Sequence, residues 1–362
     1  MQVENAFAGD AFSVAVLNEL PDMARVIDRR GQEIYRNSAM SMRLNSQAPG
    51  KCEKIPGASV KCEECVVEKC IEMGQRVKIV SRVMGRVYSV VASPVTYHGE
   101  IYALEILRDI TQEQNLKDRL MQSNTRMMKD LEIARSLQLS ILRHNLPNIG
   151  GYRFSAEFLP CDALGGDMYD CFRARDGRVF MYIADVSGHG VMPAMLTVYL
   201  RQEMFAQCKN FGVSPDEVLE NIQISFEELN TEESIYITVF VLALDPNTGE
   251  FVYANAGHSV PPLIAGEDGV RELFMPGAPI CRWVDTPQFS KAQGMLAPGE
   301  KLLLYTDGLD GIHTGEESNQ KLCEILGDDA FGGEALLGEI KKQFTQTKAD
   351  DVTMLLCERT SG

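Results

Sequence analysis

Long apolar runs are missing from this chain of 362 residues. The most apolar stretch, residues 237–244, carries the polar Thr238 and falls far short of the ~20 residues that span a bilayer. No membrane-spanning segment is expected. Base is scarce as well. The opening residues, MQVENAFAGDAF, hold two acids and no base, whereas a secretory signal opens on positive charge followed by a long apolar stretch. A cytoplasmic protein is therefore expected. The formal net charge of −16 repels a phosphate backbone, and no local basic face is visible, so nucleic acid is not an expected partner. No Gly-Lys-Ser/Thr loop occurs, which leaves out one familiar way of holding phosphate.

What is present falls into three segments. Residues 1–110 read as short strands with turn signals. In ARVIDRRGQEIYRNSAM a strand, a turn at Arg30-Gly31 and a second strand lead to a helix entered at Asn37-Ser38, and three more strands follow between Gln75 and Ile110. Five strands with intervening helices make a small α+β domain. This stretch resembles a PAS sensor domain, through VIDRRGQEIYRNSAM at its start and EILRDIT at its exit. The resemblance implies that the Asp109-Ile110-Thr111 junction hands changes in the sensor sheet to an output helix.

That helix is expected over residues 111–147, since no Gly or Pro occurs until Pro147 and strong helix formers dominate. Every third and fourth position picks out Leu120, Asn124, Met127, Leu131, Ala134, Gln138 and Ile141, a heptad seam with two polar interruptions. One reading is a surface helix packed on its own domain. The favoured one is a parallel coiled-coil homodimer whose polar positions keep it switchable.

Ten cysteines are distributed unevenly. Six are scattered and read as small buried hydrophobes. The other four, Cys52, Cys62, Cys65 and Cys70, follow the spacing C-x9-C-x2-C-x4-C. With a helix over 61–73 closed by Gly74, the last three fall within an arc of roughly 140°. Four thiolates in a cytoplasmic chain suit Zn²⁺ or an iron–sulfur cluster better than disulfides. Reversible thiol redox and plain burial are the simpler readings.

Residues 148–362 alternate strands and helices and contain four acidic islands: GGDMYD (165–170), ADVSGHG (184–190), YTDG (305–308) and ADDVT (349–353). Three abut a strongly apolar strand. An acid at a strand end beside Gly is a poor core residue and a good way to aim oxygen ligands. Carboxylates gathered from distant positions repel one another unless cations lie between them, and monodentate Asp suits octahedral Mg²⁺ or Mn²⁺.

The order and wording of these islands resemble the metal-dependent protein phosphatase (PPM) family, in its bacterial stage II sporulation and sigma-factor-regulating branch. The resemblance runs from about Leu131 to Cys357 and takes in ARSLQLSILRHNLP and NAGHSVPPLI. It implies an α/β sandwich of two central sheets flanked by helices, and a pair of Mn²⁺ or Mg²⁺ ions. Their ligands would be Asp167, Asp185 as the bridge, the Val186 carbonyl, Asp307 and Asp350, with Asp351 competing with Asp350. It also implies direct hydrolysis by a metal-activated water, without a phosphoenzyme. Its substrate would be a phosphorylated regulatory protein of the anti-sigma-factor-antagonist kind.

For the general acid, His189 stands where a second-sphere role competes, because eukaryotic relatives place their motif His where Ser187 stands here. His258 reads more readily as a loop residue holding a turn than as a substrate contact. Two rival functions are weighed. GGDMYD is similar to the Gly-Gly-Asp of diguanylate cyclases but lacks the Glu-Phe continuation, and a non-catalytic dimeric sensing scaffold would not need every ligand position acidic.

Overall fold

Alternation of apolar and polar residues over the first third of the chain pairs its strands into one antiparallel sheet. The structure, a computed structural model, describes residues 11–44, 65–83, 85–142, 146–188, 190–229, 231–284, 288–309, 316–328, 331–344 and 350–360. The chain divides into two compact units, Met1–Met127 and Met128–Gly362.

In the first unit, helix α1 (Ala11–Asn18) leads to β1 (Met23–Ile27) and β2 (Glu33–Arg36). Helices α2 (Ser38–Leu44) and α3 (Val66–Met73) then precede β3 (Val77–Val83), β4 (Arg86–Tyr97) and β5 (Glu100–Asp109). The sheet order is β2-β1-β5-β4-β3. Gly31 takes φ 75° in the β1–β2 turn, a conformation glycine adopts without strain. Asn37 starts α2 by accepting from the Met40 amide at 3.0 Å.

Helix α3 lays Val66, Val67, Cys70 and Ile71 on Ile27, Ala92 and Ala103 of the sheet. It is described from Val66, with Cys65 as its cap, the Cys65 thiol accepting from the Glu68 amide at 3.4 Å, and Gly74 closing it at φ 62°. Cys70 lies wholly inside this core, and burial pushes its thiol up. The expected helix start at 61 and the cysteines Cys52 and Cys62 lie outside the described residues.

Strand β5 runs into helix α4 (Thr111–Leu142), 32 residues without a break. Asp109 joins the two, its carboxylate accepting from the Thr111 hydroxyl at 2.5 Å and amide at 3.0 Å, and from Arg86 at 2.7 Å. The Val87 amide donates to the Thr111 hydroxyl at 2.9 Å. Along α4 only Gln138 and Leu142 are buried, while Leu116, Leu120, Met121, Met127, Met128, Ile133 and Leu137 are exposed. Gln138 therefore departs from the heptad reading. It faces the interior of its own unit, where a side-chain amide meets backbone groups that would otherwise be unpaired.

The second unit continues with β6 (Tyr152–Leu159), β7 (Asp167–Arg173), β8 (Val179–Val186), α5 (Val191–Gln207) and α6 (Pro215–Glu228). Next come β9 (Tyr236–Leu244), β10 (Glu250–Ala256), β11 (Leu263–Gly266), β12 (Gly269–Glu272), β13 (Ile280–Cys281), β14 (Lys291–Met295) and β15 (Lys301–Tyr305). Helices α7 (Glu316–Gly327) and α8 (Gly333–Phe344) and strand β16 (Val352–Arg359) complete it. One sheet runs β14-β10-β9-β8-β7 with β13 on β9, and the other runs β12-β11-β15-β16-β6.

Period-2 alternation sorts the second sheet's side chains into two cores. Leu302, Leu304, Leu355 and Cys357 join Phe180, Tyr182 and Val241 of the first sheet in the main core. Leu303, Tyr305, Met354 and Leu356 turn the other way, onto Leu322, Leu336 and Ile340 of α7 and α8. Helices α5 and α6 supply Leu200, Met204, Val218 and Leu219 to the main core. The result is the expected α/β sandwich, two sheets flanked by helices. Among the described residues no helix is long and apolar enough to cross a membrane.

Gly338 sits exposed inside α8 with open space around its missing side chain. Gly338→Ala is expected to stabilise the protein by about 0.5–1 kcal/mol, the helix-interior difference between the two residues, read as a shift in urea midpoint.

Candidate metal centre

Strand pairing creates the site. Asp167, the first residue of β7, is the register partner of Asp185, the penultimate residue of β8. Residues directly opposite on antiparallel strands share a face with side chains in contact range, so two carboxylates are set side by side. The other two acids come from the second sheet, where the antiparallel pair β15–β16 puts Thr306-Asp307 beside Asp350-Asp351. Asp167 is 2% exposed, Asp185 is half-buried, and Asp307 and Asp350 are exposed.

These groups feel one another strongly. Burial, and then the charges of Asp307, Asp350 and Asp351, push the Asp185 carboxyl up to about 7. Burial and the charge of Asp185 push Asp167 well above the ordinary carboxylate range, against the opposing pull of two hydroxyls. Those hydroxyls are Thr306 and Thr353, which donate to the same Asp167 oxygen, Oδ2, at 2.8 and 2.6 Å. Asp167 is thus tied across the sandwich, and its orientation is fixed.

The adjacent aspartates Asp350 and Asp351 divide their tasks. Asp351 is buried, and its two oxygens accept from the Cys161 amide at 2.7 Å and the Gly166 amide at 2.6 Å. It works as a backbone clamp. Asp350 stays at the surface, close enough to raise Asp185.

Two glycines permit the close approach. A Cβ at Gly166 would lie 2.8 Å from the Val186 carbonyl oxygen, and a Cβ at Gly308 would lie 1.9 Å from the Asp351 carbonyl oxygen. Val186, in turn, donates its amide to the Gly166 carbonyl at 3.1 Å.

His258 is 6% exposed and holds a turn: its amide donates to Asn255 at 2.8 Å, and its Nε2 lies 3.0 Å from the Tyr305 carbonyl oxygen. It braces the end of β15 next to Thr306. His189 lies outside the described residues. Cys161, beside Asp351, is no nucleophile at neutral pH, since burial and Asp351 push its thiol up to about 11.

Among the described residues no three His, Cys, Asp or Glu side chains close on one point as a ready-made cage. The acids instead grade from the buried Asp167 to the exposed Asp307 and Asp350. That donor set, all oxygen and open to solvent on one side, fits ions that keep several waters, as Mg²⁺ and Mn²⁺ do. Of the groups shaping the site, Thr306, Thr353 and Gln138 were not expected from the sequence. The threonines read as ordinary strand residues, and the one available signal for Gln138 was that it is, with Asn124, one of two polar residues in a largely apolar helix stripe.

The chain is also similar to known proteins. The chain is 28% identical over 184 residues to phosphoserine phosphatase RsbP of Bacillus subtilis, covering 50% of this chain and 45% of that protein. It is 27% identical over 188 residues to phosphoserine phosphatase RsbU of the same organism, covering 51% and 54%. The chain thus spans about half the length of these curated relatives. The crystal structure of the RsbU and RsbW domains of Rv1364c from Mycobacterium tuberculosis superposes with a TM-score of 0.51 at 28% identity, over 60% of this chain and 64% of that one. The profile of the stage II sporulation protein E (SpoIIE) family matches residues 175–360, which takes in Asp185, Val186, Asp307 and Asp350. With more than half of its length matched, the chain belongs to the SpoIIE family.

Proposed function

We propose that this protein is a metal-dependent protein serine/threonine phosphatase that works in bacterial signalling. The observation that carries the reading is the Asp167–Asp185 cross-strand pair, both carboxyls raised by burial and then by neighbouring carboxylates, and faced by Asp307 and Asp350 from the other sheet. Asp167, Asp185, the Val186 carbonyl, Asp307 and Asp350 would hold a pair of Mn²⁺ or Mg²⁺ ions. When bound, such ions supply a water nucleophile at neutral pH and neutralise phosphoryl oxygens.

The chain's own residues do the rest. Thr306 and Thr353 occupy Oδ2 of Asp167 and leave Oδ1 as the oxygen to present. Asp351 holds the turn before Asp167 by its Gly166 amide, so that Asp350 rather than Asp351 is the ligand. Buried cysteines with raised thiols, such as Cys171, Cys208 and Cys357, favour direct hydrolysis over a covalent route. His258, held at the Tyr305 carbonyl, is a brace rather than the general acid.

Two relatives whose names describe phosphoserine phosphatases, RsbP and RsbU, support a phosphoserine protein as substrate, in our reading an anti-sigma-factor antagonist. The first unit would be a PAS-like sensor of residues 1–110, a reading supported by its five strands and by the Asp109–Thr111 weld to α4. The exposed apolar residues of α4 at 116–128 support a homodimer through this segment, with 148–362 as the catalytic domain. Zn²⁺ or an iron–sulfur cluster at the cysteine island is a weaker proposal, since Cys70 is spent on the core. A cytoplasmic location follows from the proposed role.

Purified protein should hydrolyse p-nitrophenyl phosphate in Mn²⁺ and lose that activity in EDTA. Asp307→Asn should abolish it with little change in stability, because Asp307 is exposed. GTP turnover without phosphatase activity would favour the cyclase rival instead, absent hydrolysis would favour the scaffold, and hydrolysis that survives EDTA would overturn the metal-dependent reading.

A further inference from the structure

The turn that delivers Asp167 into β7 is gripped from an unexpected side. Gln138, 5% exposed on α4, donates its Nε2 to the Gly165 carbonyl at 2.8 Å and accepts the Gly165 amide on Oε1 at 3.2 Å. One side-chain amide thus satisfies both backbone groups of a single residue, as a neighbouring strand would. The same Nε2 lies 3.3 Å from the Thr197 hydroxyl, which is itself turned to donate to the Ala194 carbonyl at 2.7 Å. Thr197 belongs to α5, the helix that follows strand β8 and its terminal Asp185 and Val186.

Gly165 has nowhere else to go. A Cβ there would meet Asp351 Oδ2 at 2.7 Å and Phe158 Cζ at 2.8 Å. The turn is therefore held between Gln138 on one side and Asp351 with Phe158 on the other, and its next two residues are Gly166 and Asp167.

We infer that Gln138 is a positioning residue for the aspartate centre, fixing the Gly165–Asp167 turn and tying it to α5 at Thr197. The inference rests on the metal reading of that centre for its functional meaning, and on hydrogen-bond geometry alone for its structural part. Gln138 touches no reacting group. Its removal leaves a buried amide and a buried carbonyl unpaired, a penalty large enough to move the turn. Gln138 is also the sole buried polar residue of α4, so docking of the helix's C-terminal half and order at Asp167 are the same event.

The test is Gln138→Met, which keeps length and volume and removes the amide, with Gln138→Asn as a milder variant that retains the chemistry at shorter reach. Backbone hydrogen exchange of the peptide covering 163–168 is followed in the metal-free full-length protein, and Mn²⁺ affinity is measured by calorimetry. Expected are at least about tenfold faster exchange in that peptide and about tenfold weaker Mn²⁺ binding, equal to ~1.4 kcal/mol, with the Asn variant changed in the same direction by less. Unchanged exchange and unchanged Mn²⁺ affinity in Gln138→Met would overturn the inference and leave the metal centre standing. If the wild type takes up no Mn²⁺, the metal reading fails, and the exchange measurement still decides whether Gln138 orders the turn.

Discussion

Asp185→Asn is expected to make the metal-free protein more heat-stable while cutting Mn²⁺-dependent hydrolysis by more than about a hundredfold, beyond the loss typical of groups that only brace a metal ligand. The two effects share one cause. Asp185 is mostly buried beside Asp167 and faces Asp307, Asp350 and Asp351, and without cations that charge is a liability. Asn keeps the shape and removes the charge.

The sign with pH follows from linkage. The folded-state value of Asp185, about 7, lies above its ordinary 3.8, so the folded protein holds this proton more tightly than the unfolded chain does. Stability from this group is complete below pH ~4 and is lost as pH rises towards 7, by on the order of a few kcal/mol. Melting temperatures of wild type and Asp185→Asn in EDTA between pH 4.5 and 8 should therefore diverge with rising pH, the wild type falling behind. Saturating Mn²⁺ should reverse the order, because an ion that binds only the folded state stabilises it. Parallel curves in EDTA would remove the electrostatic basis of the proposed function.

The second large effect is expected at Gly308. Alanine there would place its Cβ 1.9 Å from the Asp351 carbonyl oxygen and 2.7 Å from the Asp351 carbonyl carbon. Both are backbone atoms, so no side-chain rotation relieves the clash. Shifting Asp351 drags its carboxylate off the Cys161 and Gly166 amides, and it strains the neighbouring pairing in which the Thr306 amide donates to the Thr353 carbonyl at 3.1 Å. Gly308→Ala should cost more than about 2 kcal/mol in urea unfolding and should weaken Mn²⁺ binding along with it. The counterpart Gly338→Ala, with open space at its Cβ, controls for generic glycine effects. A Gly308→Ala protein with wild-type stability and Mn²⁺ affinity would show that the Asp351 clamp does not set the site.

Much of this architecture was readable from local pattern. The strand-turn-strand-helix reading of residues 24–40 and the long helix after Asp109 rest on alternation, glycine and capping, which act over a few residues. The acidic islands were legible because an aspartate beside glycine at the end of an apolar strand is chemically conspicuous.

Three features were not legible. Asp350 and Asp351 are indistinguishable side by side and separate only once Gly166 and Cys161 arrive from far along the chain. Thr306 and Thr353 look like strand residues until both hydroxyls reach Asp167. Heptad spacing makes Gln138 a polar notch in the seam, because spacing says which residues share a stripe and not what covers it. Near the stripe's C-terminal end Gln138 and Ile141 turn into the second unit, while Leu120 and Met127 remain exposed.

The division of labour between Asp350 and Asp351 ties cation chemistry to strand threading. Strand β16 enters its sheet with Val352 opposite Leu159, and Met354 opposite Tyr305. A one-residue slip would rotate Asp351 outward, offer Asp350 to the Gly166 amide, and exchange Leu355 and Cys357 with Met354 and Leu356 between the two cores. Mis-threaded chains would thus forfeit the proposed cation-binding face and the packing together, so that, on that proposal, divalent ions present during folding would select the correctly threaded molecule.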